Sequence, residues 1–276
     1  MQKFFTINDN FDRIIRQHLA NIVSIEKIVT GWTNFVFIAK NARGVRYICR
    51  FPRNDFFADC LLKEIPFNRF VRNKVKVKTT WQNMHTDCGR AFSVHRMIPG
   101  AVLQDAYPNM TNEQKRTLAK DLATYICAFQ EIKLKPMPVG HASASEFLIN
   151  LGTVNNSPDF DKTRFDGLIR MEAQHSVPVH GDLNPGNIIV DESGRMIAVL
   201  DYAFVTHSAP INDVARIIGR LPSCFRPLMI SAYQTASGHN VDEADMDYLI
   251  DLWTYVENDY KEYMIRECPD IKMPEY

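Results

Sequence analysis

Three oxygen-bearing side chains follow one another at short, defined spacings in the stretch VHGDLNPGNIIVDESGRMIAVLDY, residues 179–202. Asp182 and Asn187 flank a Pro-Gly turn, and Asp201 follows the second of two apolar runs. If these runs pair as a hairpin, Asn187 and Asp201 lie side by side at its open end, with Asp182 across the loop. Mg²⁺ binds one or two such protein oxygens together with phosphate oxygens and water. The spacing therefore predicts a site where a cation positions phosphates for transfer.

The same residues also have an ordinary structural explanation. Asp182, Asn187 and Asp191 are residue types that favour turns, and a hairpin without any activity would use them in the same way. The combination H-x-D-x-x-x-x-N followed by VLD is harder to explain by turns alone. We interpret His180 as a scaffold residue whose ring braces the loop.

The part of the chain before Pro99 is patterned mainly as strands. Residues 8–23 carry apolar side chains at helical spacing, and residues 24–51 alternate as three strands separated by turn formers. The stretch ADCLLKEIPFNRFV predicts a helix interrupted by its proline. KVKVKTTW and AFSVHRM then predict two further strands. We expect a five-stranded sheet with one inserted helix.

From Pro99 onward the pattern is helical. Thr111 is followed three residues later by Gln114, which predicts a capping box at the start of a helix ending near Glu131. The apolar spacing predicts further helices near residues 143–151, 162–174, 211–220, 226–237 and 243–266. The hairpin lies among these helices. The fold class predicted is α+β, with a small antiparallel-sheet lobe and a larger, mainly helical lobe.

Composition limits the classes of protein to consider. Lys and Arg together number 32, as do Asp and Glu, so net charge gives no reason to expect a nucleic-acid partner. No apolar run approaches the roughly 18 residues of a membrane span, and the first residues do not resemble a signal peptide. Six scattered cysteines without a C-x-x-C pair are typical of reduced thiols. We expect a cytoplasmic protein without a membrane partner, either a monomer or a homodimer.

The motif HGDLNPGN with the later VLD resembles the catalytic and metal-binding loops of the aminoglycoside phosphotransferase and choline kinase-like family. That family shares the protein kinase-like fold, but it favours HGD where protein kinases have HRD. The resemblance implies that Asp182 orients or deprotonates an acceptor hydroxyl and that Asn187 and Asp201 bind Mg²⁺. Pro210 and Asp213 also fit the family pattern, and the resemblance implies that Asp213 braces the catalytic loop.

The strand-rich part would then bind the nucleotide. In TGWTNFVF, Gly31 would let the backbone approach the phosphates, and Thr33 and Asn34 would offer donors, although a plain hairpin turn also explains this stretch. Arg50 occupies the phosphate-contacting position on this resemblance, where many relatives have Lys. Glu64 is the candidate to pair with Arg50, and the alternative is a solvated acid on the face of a helix.

The stretch SVHRMIPG resembles the hinge between the two lobes of this family. The backbones of Arg96 and Ile98 would form hydrogen bonds with the edge of the adenine. The resemblance implies a two-lobed protein kinase-like fold. Its nucleotide-binding lobe would cover residues 1–98, and its catalytic and acceptor-binding lobe would cover residues 99–276.

The C-terminal helical segment would contact the acceptor. It mixes four acids with four aromatic residues: Asp251, Glu257, Asp259 and Glu262, and Trp253, Tyr255, Tyr260 and Tyr263. Such a mixture suits a cationic acceptor, although Trp253, Tyr260 and Tyr263 also fall at the spacing of a core helix. Choline kinases tend to have an acid where this chain has Ala203, which weighs against choline itself.

Taken together, these expectations predict an ATP-dependent small-molecule kinase. It would use ATP and Mg²⁺ and transfer the γ-phosphoryl group to a hydroxyl of a small, cationic acceptor such as an aminoglycoside. A choline or ethanolamine kinase-like enzyme and a nucleotide-binding pseudokinase that regulates a partner are the alternatives. A protein kinase fits less well, because LDYAF runs on to PINDVARI without an activation segment.

Overall fold

The computed structural model describes residues 3–28, 33–134, 143–155, 157 and 159–267. By packing, the chain divides into two compact units. The first contains the residues up to Arg69, then Thr80–Ile98 and the described residues from Met264 onward. The second contains Phe70–Thr79 and Pro99–Tyr263. The two functional lobes expected from the sequence, residues 1–98 and 99–276, stay a prediction.

The first unit contains a five-stranded antiparallel sheet in the order β1-β2-β3-β5-β4. Its strands are β1 (Ile22–Ile28), β2 (Asn34–Asn41), β3 (Arg46–Pro52), β4 (Asn83–Asp87) and β5 (Arg90–Arg96). Helix α1 (Phe11–His18) precedes β1 in the chain, and helix α2 (Asp55–Val71) follows β3.

Aromatic side chains form the core of the first unit. Phe51 of β3 stacks on Phe92 of β5 with ring centroids 4.6 Å apart, and Phe11 of α1 packs on Phe51 at 5.0 Å. Because successive side chains of a strand face opposite sides, Arg50 and His95 lie on the other face of the sheet. The aromatic core therefore leaves the face with Arg50 for polar groups.

Two details of the chain before Pro99 differ from the sequence predictions. The strand predicted at KVKVKTTW is not present. In that stretch only Lys78 forms an isolated bridge, which is parallel and joins it to Ala198. The strand that completes the sheet is instead β4, Asn83–Asp87. That strand is a polar edge strand, so it lacks the apolar alternation by which strands are recognised. Helix α2 also continues through Pro66. The proline side chain is exposed, so water can solvate the Leu62 carbonyl, which lacks its usual partner.

The second unit is mainly helical. Its helices are α3 (Leu103–Ala106), α4 (Asn112–Gln130), α5 (Ala144–Asn155), α6 (Asp166–Gln174), α7 (Asn212–Ile218), α8 (Arg226–Ser237) and, up to Tyr263, α9 (Glu243–Glu267). Short 3₁₀ turns lie at Tyr107–Asn109, Lys162–Phe165, Pro185–Asn187, Tyr202–Phe204 and Ser223–Phe225. The predicted capping box is present, with Gln114 N donating to Thr111 Oγ1 at 3.2 Å and Thr111 N donating to Gln114 Oε1 at 2.8 Å.

Two small sheets lie among these helices. Their strands are β6 (Ala101–Val102), β7 (Val177–Val179), β8 (Ile188–Val190), β9 (Met196–Val199) and β10 (Thr206–Ser208). β8 pairs antiparallel with both β6 and β9, and β7 pairs antiparallel with β10. The predicted hairpin is thus β8 and β9. Within the described ranges, no helix has the length and apolar character needed to cross a membrane.

Candidate active site

The β8–β9 hairpin brings Asn187 and Asp201 to the same end. Ile188 pairs with Val199, and the backbone N–H of Leu200 donates to the carbonyl of Asn187 at 2.8 Å. At the opposite end, Asp191 Oδ1 accepts hydrogen bonds from the backbone of the turn, so Asp191 is a turn residue. The turn alternative therefore holds for Asp191.

A buried hydrogen-bond network holds the loop that carries Asp182. Asp213 Oδ2 accepts from His180 N at 2.7 Å, and its Oδ1 accepts from Gly181 N at 3.1 Å. His180 is fully buried, its Nδ1 accepts from Asp182 N at 3.3 Å and its Nε2 lies 3.0 Å from the carbonyl of Leu200. Burial raises the pKa of Asp213, and the bonds from His180 and Gly181 oppose that shift. Helix α7 thereby fixes the backbone N–H groups of His180 and Gly181, immediately before Asp182.

Gly181 cannot be replaced by a larger residue in this conformation. Its φ is +79°, and a Cβ would lie 2.2 Å from the carbonyl oxygen of Phe204. The arginine of the HRD motif has no room at this position, which gives HGD a physical reason in this chain.

The Asp182 carboxylate is held by three side chains. Its Oδ1 accepts from Arg216 Nη2 at 2.8 Å, Arg216 Nε at 3.2 Å and Asn184 Nδ2 at 2.9 Å. Its Oδ2 accepts from Asn187 Nδ2 at 3.1 Å, and the same nitrogen donates to the Asp182 carbonyl at 2.9 Å. The predicted site residues Asp182 and Asn187 are therefore in direct contact.

The donor set fits a Mg²⁺ ion that also binds phosphates. The Asn187 amide nitrogen is bonded to Asp182, so the amide oxygen is the atom that can bind a cation. Asp201, beside it, has φ 61° and ψ 68°, a left-handed conformation that is uncommon outside glycine and clusters at functional sites. Among the described residues, no group of three His, Cys, Asp or Glu side chains could hold a metal alone. An amide and one carboxylate suit Mg²⁺ that keeps phosphate and water ligands.

Arg50 and Glu64 form an ion pair in the first unit. Arg50 Nη1 lies 2.7 Å from Glu64 Oε2 and 2.9 Å from Oε1. Glu64 is fully buried and also accepts from Gln82 Nε2 at 2.6 Å. Glu64 is therefore not a solvated acid on a helix face.

Two further nucleotide-site candidates, Thr33 and Asn34, lie at the start of β2. Gly31 is outside the described residues. Asn34 begins β2, and its Nδ2 donates one of its two N–H groups to Thr33 Oγ1 at 2.7 Å.

Arg96 is the last residue of β5, and Ile98 ends the adjoining segment of the first unit. Met97 N donates to the Arg46 carbonyl of β3 at 2.9 Å. Backbone groups of neighbouring strand residues point in opposite directions, so those of Arg96 face away from β3. The register with β4 ends at Val94, so β4 does not pair with Arg96. The Arg96 backbone groups thus form no ladder hydrogen bonds with β3 or β4, and their role in binding adenine stays a prediction.

A family model described as the phosphotransferase enzyme family matches residues 24–249. The chain belongs to this family. The matched residues include β3, which carries Arg50, and the β8–β9 hairpin, which is followed by Asp201. No curated protein sequence matches the chain.

Solved structures of phosphotransferases share the fold. The GDP complex of wild-type aminoglycoside 2′-phosphotransferase-IIIa has a TM-score of 0.71 and 18% identity, over 95% of this chain and 93% of that one. The streptomycin–ATP complex of APH(2″)-IIa has a TM-score of 0.64 and 15% identity, over 92% and 91%. Macrolide 2′-phosphotransferase MphH from Brachybacterium faecium has a TM-score of 0.64 and 13% identity, over 96% and 97%. The predicted family and fold class are thus confirmed.

The sequence reasoning about this phosphotransferase missed Arg216. Its Cζ lies 4.4 Å from the centre of the Trp253 ring, its Nη1 pairs with Glu257, and its side chain is 8% exposed. The signal was present in NDVARII, because an arginine in an otherwise buried helix must have a partner for its charge.

Several acids and aromatic residues of α9 have partners inside the second unit. Glu257 also pairs with Arg220 at 2.6 Å, and buried Asp259 accepts from Asn155 Nδ2 at 2.8 Å. Tyr255 OH accepts from Asp161 N at 2.6 Å. Asp251 and Glu262 are exposed. The core-helix alternative therefore describes Trp253 and Tyr260, which are buried, and the pairing of Glu257 and Asp259 leaves fewer acids for binding a cationic acceptor.

Proposed function

We propose that this phosphotransferase transfers the γ-phosphoryl group of ATP to a hydroxyl group of a small molecule. The observation that carries the proposal is the contact of Asp182 with Asn187 at the end of the hairpin that also bears Asp201. A carboxylate that can serve a nucleophile thus lies beside an amide and a second carboxylate that can hold Mg²⁺.

In the proposed reaction, Asp182, Asn187 and Asp201 have separate roles. Asp182 orients the acceptor hydroxyl and accepts its proton as the acceptor oxygen bonds to the γ-phosphorus. The bond to the oxygen that bridges the β- and γ-phosphates breaks, and ADP leaves with that electron pair. Asn187 and Asp201 would hold Mg²⁺, which neutralises phosphate charge when it is bound. Because phosphoryl transfer depends mostly on positioning, the rigid support of Asp182 by Asp213 and His180 favours this role.

The first unit supplies the residues that we propose for the nucleotide. Arg50, held by buried Glu64, would contact phosphate oxygens through its guanidinium group. The Arg96 and Ile98 backbones would bond to the adenine edge. Gly31, Thr33 and Asn34 would line the phosphates, and Asn34 Nδ2 keeps a second N–H besides the one that donates to Thr33 Oγ1.

An aminoglycoside is the acceptor class that we propose to test first. Structures with this fold include a kanamycin complex, a streptomycin complex and a gentamicin complex. The exposed acids Asp251 and Glu262 of α9 are the groups that could still attract a cationic amino sugar. Glu257 is excluded from that role because Arg216 and Arg220 already neutralise it.

The test is ADP release with Mg²⁺ and either ATP or GTP across a panel of acceptors. The panel contains kanamycin, streptomycin, a macrolide, choline and ethanolamine. Asp182→Asn keeps the shape of the side chain, and Glu243→Gln changes an exposed acid at the start of α9 as the matched control. We expect release with one acceptor class, lost in Asp182→Asn and retained in the control. Binding of ATP without release in any mixture would favour the pseudokinase alternative.

A further inference from the structure

Arg216 bonds directly to the Asp182 carboxylate, and its three guanidinium nitrogens are divided between two acids. Nε and Nη2 donate to Asp182 Oδ1, and Nη1 donates to Glu257 Oε1. The side chain is buried on α7, so these bonds are shielded from water. Buried charges of this kind are stable only when paired, so the position of each acid depends on the arginine between them.

The two oxygens of Asp182 have unequal surroundings. Oδ1 accepts three bonds, two from Arg216 and one from Asn184, and this number uses up the lone pairs of a carboxylate oxygen. Oδ2 accepts one bond, from Asn187 Nδ2 at 3.1 Å. Oδ2 is therefore the oxygen with capacity for a further donor, such as an acceptor hydroxyl.

Helix α9 keeps the arginine in place. Glu257 pairs with Arg216 Nη1 and also with Arg220 Nε at 2.6 Å. The Trp253 ring lies against the guanidinium group, and Trp253 Nε1 donates to Asn212 Oδ1 at 3.1 Å on α7. The guanidinium plane is thus fixed by an ion pair on one nitrogen and an aromatic ring on its face.

We propose that Arg216 is a positioning residue that orients the Asp182 carboxylate, so that Oδ2 and not Oδ1 accepts the proton of the acceptor hydroxyl. This inference rests on the proposed function. In that step the acceptor O–H bond breaks and its proton passes to Oδ2, while the acceptor oxygen bonds to the γ-phosphorus and ADP departs. Arg216 forms no bond to the acceptor or the nucleotide in this step.

The proposed role requires the planar guanidinium group with its three nitrogen atoms, and not only a positive charge. A lysine at residue 216 would place one ammonium between Asp182 and Glu257 and could not make the bonds of all three nitrogens. Arg216→Lys therefore separates orientation from charge. Arg226→Lys is the matched control, because Arg226 also joins its helix to α9, through Asp247 at 2.5 Å.

The experiment measures kcat and KM for ATP and for the acceptor in the intact 276-residue chain, together with melting temperature. We expect kcat of Arg216→Lys to fall about 100-fold, as for a misplaced catalytic group, with KM for ATP unchanged. Added guanidinium ion is expected to restore part of kcat in Arg216→Ala, where it can occupy the space of the missing fork. Arg226→Lys is expected to behave as wild type.

Three results would overturn the inference. The first is wild-type kcat in Arg216→Lys. The second is a fall in kcat that follows the melting temperature without rescue by guanidinium, since that describes a purely structural residue. The third is a wild-type chain that phosphorylates no acceptor and hydrolyses no ATP, which rejects the proposed function and this inference with it. If Arg216→Ala does not fold, Glu257→Gln is measured in its place. Removing the carboxylate that pairs with Arg216 Nη1 should lower kcat although Arg216 itself remains.

Discussion

The His180 backbone N–H donates to Asp213 Oδ2 at 2.7 Å, which joins the catalytic loop to the first turn of α7. The next N–H along the chain, that of Gly181, donates to Asp213 Oδ1 at 3.1 Å. Both oxygens of one buried carboxylate therefore hold the backbone immediately before Asp182. The position of Asp182 depends on a residue that makes no contact with a substrate in the proposed reaction.

Asp213→Asn should weaken both stability and activity. An asparagine amide has one acceptor oxygen, so its nitrogen would face one of the two backbone N–H groups and leave it unpaired. We expect a loss of about 1–3 kcal/mol in the free energy of unfolding and a lower kcat. Chemical denaturation and steady-state kinetics measure these changes, with Glu243→Gln as the exposed control. Wild-type stability in Asp213→Asn would show that the network does not support the loop.

Gly181→Ala should be far more damaging than Gly238→Ala. Both glycines have positive φ, +79° and +73°, so both substitutions strain the backbone alike. A Cβ at Gly181 meets the Phe204 carbonyl at 2.2 Å, whereas nothing lies within 4 Å of one at Gly238. We expect a cost of about 1 kcal/mol for the conformation alone, and a larger cost with loss of activity at Gly181. Equal melting temperatures for the two variants would contradict the close approach.

Glu64→Gln should impair both folding and nucleotide binding. The substitution removes the buried partner of Arg50, and breaking such a pair typically costs about 3–5 kcal/mol. We also expect KM for ATP to rise, because Arg50 loses the group that orients it. Asp59→Asn, in the exposed pair with Lys3, is the control and should change neither quantity. An unchanged KM in a folded Glu64→Gln variant would argue against a phosphate role for Arg50.

His95 should make the first unit sensitive to acid. Burial, with a further contribution from the charge of Arg50, lowers the pKa of His95 from 6.5 to about 3. As the pH falls below 6.5 the unfolded chain binds this proton first, so stability is present above 6.5 and is lost toward pH 3. At pH 5 the loss from His95 is about 2 kcal/mol.

Denaturation of His95→Gln at several pH values checks this prediction. The variant should show a flatter dependence of the unfolding free energy on pH, and His239→Gln, an exposed control, should follow the wild type. Identical pH dependence in His95→Gln and wild type would show that His95 does not contribute this acid sensitivity.

Local spacing was sufficient to predict the β8–β9 hairpin and the placement of Asn187 and Asp201 at the same end of it. Asp182, Asn187 and Asp201 are separated by turns and short strands whose geometry is set by nearby residues. Edge strand β4 was missed because its polar residues carry no apolar alternation, while the alternating lysines around residue 76 imitate a strand. Helix α2 continues through Pro66 because this proline lies on an exposed face of the helix. The sequence alone does not reveal which face of the helix is exposed.

Arg216 shows where sequence reasoning ends. Its partners Asp182 and Glu257 lie 34 and 41 residues away, on a different loop and a different helix. Only the packing of α7 against these elements brings the three charges together. For the same reason the acids of α9 were assigned to an acceptor, although the fold pairs Glu257 with arginines and Asp259 with Asn155.

The most direct test of the account is the mass of an acceptor after incubation with Mg²⁺ and ATP. Mass spectrometry should detect one added phosphoryl group with the wild-type chain, matched by one ADP per acceptor. The same mixture with Asp182→Asn should leave the acceptor unmodified while ATP still raises the melting temperature. Phosphorylation by Asp182→Asn at the wild-type rate would contradict the central claim that this carboxylate serves the attacking hydroxyl.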